Sequence, residues 1–391
     1  MKNLINKLPR FLLDILDIRP WLIVFIIQVI SLRNFFVASS ISQPLLVLLL
    51  SSAIFLGVFY VFFNIKNESW LSKVLASKIL TIILITVIWL IGQFVYPLKE
   101  GLNKGGTGDD AMQQPILAMM RGNPPYNIKL FDGAPISPGL GWLLLNAPFT
   151  LMGASSLFNI FYIGVTIILY VKYRNNITLV NMTTISIMLC FSCWEQIYSY
   201  HDLLAIGFAI MIIFLITEYL MTSSLSAFFL GILAGVIATS RLIFIFLPAL
   251  IALLNYRRFR KGSIIYGLIG TITAIGIHIV GYIESDYYQP LHLLNRGSKM
   301  IPFWMIATGV ILSGIALLVA LNKLRDNFKN HLFFFSGLLF IPLFFISIGE
   351  LIGDDFNLSH WEASRYLLPA LPSFIFSVFE SYKKNNISLN E

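Results

Sequence analysis

Charge is scarce in this sequence, and cysteine scarcer still. Asp, Glu, Lys and Arg together supply only 12% of the 391 residues, about half of what a soluble domain carries. So few ionic groups could not cover a water-exposed globule of this size, which excludes a soluble fold. The two cysteines, Cys190 and Cys193, stand in the apolar run ISIMLCFSCW. That excludes a disulfide-stapled scaffold. With no further ligands placed nearby, it also argues against a zinc or redox centre, so both are read as packing residues.

What the sequence does have is apolar length. Hydrophobic residues make up 57% of the chain, and the mean hydropathy is +0.81. Runs long enough to cross about 30 Å of hydrocarbon recur from end to end, leaving no room for a soluble domain. The expected fold is an all-α integral membrane protein, one polytopic domain over residues 1–391. The net charge of +8 comes from short Lys/Arg clusters between apolar runs, so it carries topology rather than a nucleic-acid footprint. A cleaved signal peptide over Trp21–Ser40 is disfavoured, because an amphipathic stretch precedes the run and Arg33 interrupts it.

Apolar windows predict about twelve transmembrane helices: 20–37, 43–64, 76–96, 154–171, 178–194, 202–220, 224–240, 242–255, 263–283, 302–321, 331–349 and 364–380. Between the third and fourth lies a first outer loop, 97–137, with short helices. The apolar segment 138–152, which contains Pro148, is too short for a full crossing and is expected to be re-entrant or interfacial. With the N-terminus in the cytoplasm, 18 of the 27 basic residues fall on the inner side and 12 of the 19 acidic residues on the outer side. That bias supports leaving 138–152 out of the count of crossings. Asp202 and Arg241 abut apolar spans, where an ionised group costs about 2.5–3.5 kcal/mol at mid-membrane. Each therefore needs a partner or a water-filled cavity.

The outer loop reads GGTGDDAMQQPILAMMRGNPPYNIKLFDGAPISPGLGWLLLNAPFTLMG. Asp109 and Asp110 open a predicted helix over Ala111–Arg121, with the acids at its positive end. Gly122 ends that helix, and Asn123-Pro124-Pro125-Tyr126 forces an extended exit. The plain alternative is that the two acids merely cap a surface helix.

The whole loop, however, resembles the GT-C class of membrane glycosyltransferases, which use polyprenyl-phosphate-linked sugars. The resemblance rests on Asp109-Asp110-Ala111, Gly122-Asn123-Pro124-Pro125-Tyr126, Asp132, Pro138, Pro148 and Gly153, about 45 residues in all. Asp110 stands where many relatives carry Glu, and Pro138 replaces a common Pro pair. A weaker likeness extends to YSYHDLLAI and SRYLLPALP.

The resemblance implies a GT-C-like fold and transfer of a sugar to an acceptor hydroxyl on the outer side of the cytoplasmic membrane. A sugar hydroxyl is a poor nucleophile, so a carboxylate must take its proton; Asp109 is the expected base, with Asp110 beside it. A departing phosphate gains negative charge, and Arg241, Arg296, Lys299 and Arg365 are the cations expected to meet it. For Arg241 and Arg365 the rival account is snorkelling at a span boundary, and for Arg296 and Lys299 a solvated loop. His201, Asp202 and Tyr126 are the expected substrate-binding residues. No cofactor is required by the sequence; a divalent cation is an option that the resemblance allows, with no metal ligands assigned. The expected partners are the lipid-linked sugar donor, membrane lipid, and a glycan, lipid or protein acceptor.

Two other functions compete. A transporter or flippase predicts broken helices, internal repeats and mid-membrane polar residues, whereas the charges here cluster at span ends and no repeat is visible. A polysaccharide polymerase or ligase would concentrate arginine in long outer loops, but the longest outer loop is acidic and early.

Overall fold

The computed structural model describes residues 18–37, 43–65, 69–99, 107–131, 133, 135–285, 288, 301–323 and 327–387. Every regular element among them is helical, as a backbone in lipid requires when water cannot satisfy its polar groups. Eight helices are long and apolar enough to cross a membrane, or nine if one bent pair counts as a single span. The chain is thus an all-helical, multi-pass membrane protein.

In chain order the helices are α1 (Ile18–Val37), α2 (Pro44–Asn64), α3 (Trp70–Leu75), α4 (Lys78–Lys99), α5 (Asp110–Met120), α6 (Leu140–Leu151), α7 (Phe158–Arg174) and α8 (Ile177–Met188). Then come α9 (Phe191–Ser199), α10 (Leu203–Leu220), α11 (Ser224–Ala238), α12 (Leu247–Asn255), α13 (Arg260–Glu284), α14 (Phe303–Lys323), α15 (Phe328–Gly353) and α16 (Leu371–Ile387). Helix α10 is apolar all round and sits at the centre, with Ala205, Ile206, Ala209, Ile210 and Phe214 buried. Helices α4 and α14 are peripheral, and large side chains such as Ile79, Phe94, Phe303 and Val310 face outward. The Gly231/Gly235 spacing acts within the chain: a Cβ at Gly231 would stand 2.8 Å from the Tyr266 carbonyl of α13.

Three expected spans differ from the structure. The window 178–194 is not one straight span, because α8 and α9 meet at 84° across Leu189–Cys190. The last window, 364–380, begins as a 3-10 helix, Glu362–Ala370, before α16. Pro369 and Pro372 lie at that junction, and neither has an N–H for an α-helical ladder. The window 242–255 divides into a 3-10 turn, Leu242–Phe244, and α12, whose first turn contains Pro248.

Helix ends gather into two polar layers. One contains Glu218 of α10, which pairs with Arg258 at 3.3 Å and His331 at 3.0 Å. Nearby, Arg174 of α7 pairs with Glu380 of α16 at 3.1 Å and Tyr170 donates to the same carboxylate. The other layer lies at the opposite end of α10, around Asp202. The start of α6 and the start of α7 both meet this second layer: Gly139 N–H donates to the Thr239 carbonyl (2.8 Å), and Asn159, in the first turn of α7, donates to the carbonyls of Gln196 and His201.

Candidate functional site

The predicted loop helix is α5. Its C-terminus is closed by Gly122, with φ of 74°, through bonds from Asn123 N–H to Ala118 and Gly122 N–H to Met119. At the other end Asp109 is 1% exposed and Asp110 is fully buried. Burial of two carboxylates is far from the exposed surface cap that the plain alternative describes. Asp109 Oδ1 accepts the Asp110 N–H at 2.9 Å, and Oδ2 accepts the Tyr96 hydroxyl at 2.8 Å. Tyr96, at the end of α4, stacks on Tyr200 with ring centroids 4.0 Å apart. Burial pushes the Tyr200 phenol up to about 12, so it stays neutral. A cavity of about 20 Å³ abuts Asp109, lined by Gln113, Asn146, Thr150, Ser155 and Tyr200 with Phe149 and Phe158. It is large enough for one water molecule or one hydroxyl group.

Asp202 and Arg241 solve each other's burial. The Arg241 fork binds Asp202 through both terminal nitrogens at 2.7 and 2.6 Å, and Nη1 also donates to the Ser240 carbonyl. Trp142 of α6 adds a third donor to Asp202, Nε1 to Oδ2 at 3.1 Å. Trp142 is itself fixed by stacking on Tyr162 and by its N–H bond to Thr239 Oγ1. The close approach of α6 to Thr239 needs glycine, because a Cβ at Gly139 would stand 2.6 Å from the Thr239 carbonyl.

A second ion pair flanks the first. Arg365 Nη2 binds Glu195 Oε1 at 2.7 Å, and Asn34 of α1 donates to the other oxygen of Glu195 at 2.9 Å. Arg33 reaches Glu362 at 3.8 Å, one 3-10 turn before Arg365. Arg365 Nε is buried with no partner, so its donors are not all used by Glu195.

His201 lies between the two pairs. Its ring sits against Gly108, the residue before Asp109, so closely that no Cβ fits there. Burial, and then the charges of Arg365 and Arg241, push the imidazole down to about 3. His201 is therefore neutral near pH 7, and its Nε2 is buried without a partner.

Asp109, Asp110, His201, Asp202, Arg241 and Arg365 thus lie at one end of the bundle. Tyr126 is there too, but only 2% exposed, with its hydroxyl bonded to the Pro138 carbonyl at 3.0 Å. It fastens the Pro-Pro turn to the start of α6. Asp202 is held by both terminal nitrogens of Arg241. Arg296, Lys299 and Asp132 lie outside the described residues. Among the described residues, no group of three or more His, Cys, Asp or Glu side chains could hold a metal ion.

Sequence reasoning missed Tyr96, Trp142 and the role of Arg33. Their signal is weak, since each reads as an ordinary residue at a span end. An apolar groove of about 470 Å³ runs beside the site, lined by Met119, Gly122, Asn123, Pro124, Pro125, Leu140 and Leu144. Comparison with protein-family models, curated proteins and solved structures gives no match.

Proposed function

We propose that this chain is a GT-C-like membrane glycosyltransferase of about twelve spans. It moves a sugar from a polyprenyl-phosphate donor to an acceptor hydroxyl on the outer face of the cytoplasmic membrane. The observation that carries this reading is the state of Asp109: a carboxylate 1% exposed, oriented by Tyr96 and the Asp110 amide, beside a cavity of hydroxyl size. Removal from water strengthens a base placed to take a proton in the transition state.

In the reaction the acceptor oxygen bonds to the anomeric carbon and its proton passes to Asp109. The bond from that carbon to the phosphate oxygen breaks, and its electron pair leaves with the phosphate. Arg365 is the described cation best suited to meet that charge, because Arg241 has both terminal nitrogens on Asp202 while Arg365 Nε has no partner. Arg241 then acts by positioning α6. The groove beside α5 and α6 suits an apolar carrier.

The test is Asp109→Asn in membranes supplied with a polyprenyl-phosphate sugar. The variant is expected to insert and accumulate normally and to lose transfer by at least a hundredfold, the lower end of what a positioned acid or base contributes, about 10²–10⁴. Full activity would reject Asp109 as the base. The 84° break between α8 and α9 is the one observation that favours transport instead. Uptake or flipping of a polar solute by reconstituted protein, without any transfer product, would decide for that alternative.

A further inference from the structure

The walls of the Asp109 cavity restrict what can reach the carboxylate, and its floor is fixed. Asp109 is tied through both oxygens, to the Tyr96 hydroxyl and to the Asp110 N–H, so it does not swing outward to meet an acceptor at the surface. Beside it Asn146 is buried and held on two sides. Its Oδ1 accepts from Tyr162 at 2.7 Å, and its Nδ2 donates to the Trp142 carbonyl at 2.7 Å. Tyr200 is pinned by its stack on Tyr96. The acceptor must therefore reach in.

The side walls are aromatic and equally fixed. Phe149 and Phe158 meet edge to face with ring centroids 5.9 Å apart, Phe158 packs on Trp142 at 6.1 Å, and Phe149 packs on Phe161 at 5.2 Å. Of the residues around the cavity, Gln113, Phe149, Thr150 and Ser155 are partly exposed and form its mouth. Asp109, Asn146, Phe158 and Tyr200 are buried behind them.

The space enclosed is about 20 Å³. A single water needs at least about 10–15 Å³, so the cavity admits a hydroxyl oxygen and leaves the carbon that bears it at the mouth. In transfer that oxygen bonds to the anomeric carbon, its hydrogen passes to Asp109, and the phosphate leaves with the electron pair of the broken bond. The anomeric carbon, part of the donor's ring, has to share the same mouth. Two carbons then crowd one opening. A primary carbinol brings a single further carbon to it, whereas a secondary carbinol brings two, and in a sugar both belong to a ring.

We propose that the acceptor hydroxyl is primary, a CH2–OH group on an unbranched arm, and that Phe149 enforces this choice by closing the side on which a second carbon would stand. This rests on the transferase reading with Asp109 as the base, and adds the class of hydroxyl that the base receives.

The test supplies the full-length protein, in membranes, with a polyprenyl-phosphate hexose and equal concentrations of n-propanol and isopropanol. These isomers differ only in which carbon carries the hydroxyl. Chromatography with mass spectrometry counts the two propyl hexosides. The n-propyl product is expected to exceed the isopropyl product by about 10- to 200-fold, the discrimination that one carbon meets in a tight apolar site. Phe149→Ala opens the wall and should cut that ratio about tenfold or more, and the milder Phe149→Leu should cut it less. Near-equal yields from the parent, or a ratio unmoved in both variants, would overturn the proposal. So would the absence of both propyl hexosides from a protein that still transfers to its own membrane acceptor. If no transfer of any kind depends on Asp109, it is the transferase reading that fails, which tells the two failures apart.

Discussion

Replacing Asp202 by Leu should strand Arg241. The guanidinium is 9% exposed and keeps, of its three bonds, only the one to the Ser240 carbonyl. Removing one partner of a buried ion pair costs about 3–5 kcal/mol, because the remaining charge stays out of water. Arg241→Met should cost a similar amount by stranding Asp202, softened by the Trp142 bond at 3.1 Å. The double variant removes both charges. Its remaining penalty is chiefly the unpaired Trp142 N–H, about 1–3 kcal/mol, so it should be more stable than either single variant. Reversible SDS unfolding in mixed micelles, run on all four proteins as a double-mutant cycle, measures this directly. If the double variant loses the sum of the two single losses, the charges do not support one another and the account of this junction fails.

Gly139→Ala should lower stability by about 1–3 kcal/mol, as overpacking does, since the new Cβ would meet the Thr239 carbonyl at 2.6 Å. Proteolysis within the 121–153 region should quicken in step; a variant as stable and resistant as the parent would refute the close contact. For His201 the folded value of about 3 lies below the ordinary 6.5, so the unfolded chain binds the extra proton as pH falls. Its contribution is complete above pH 6.5 and declines toward pH 3. His201→Gln should flatten the acid limb of the stability profile in that window, and an unchanged limb would place the acid sensitivity elsewhere.

Helical character and multi-pass membrane class were legible because lipid imposes one rule on every crossing: an unbroken apolar run with its hydrogen bonds kept inside. The rule failed where the backbone turns within apolar sequence. Leu189–Cys190 gives no Pro or Gly to announce the bend between α8 and α9, and that bend is set by packing against α1, where Ser192 donates to the Ile30 carbonyl. The site was legible in part. Burial of Asp109 follows from a capped helix opening beside the bundle, and the need of Asp202 and Arg241 for partners was evident from cost alone. That each is the other's partner was not, since they stand at the starts of different elements 39 positions apart. Tyr126 is a motif residue whose fastening of the loop to Pro138 was not legible in the sequence.

Helix α10 joins both polar layers, with Asp202 immediately before its first turn and Glu218 in its last. At 1.5 Å per residue the two carboxylates stand about 24 Å apart along one continuous rod. That rod sets how much hydrocarbon the protein's middle can accept. In thicker lipid the surrounding helices can tilt or stretch their exposed ends, but the core cannot lengthen, so the bilayer must thin locally around it. Lipid at the protein's edge would therefore form a shallow dip around it, deepest where the ends of this rod are held by Asp202 and Glu218.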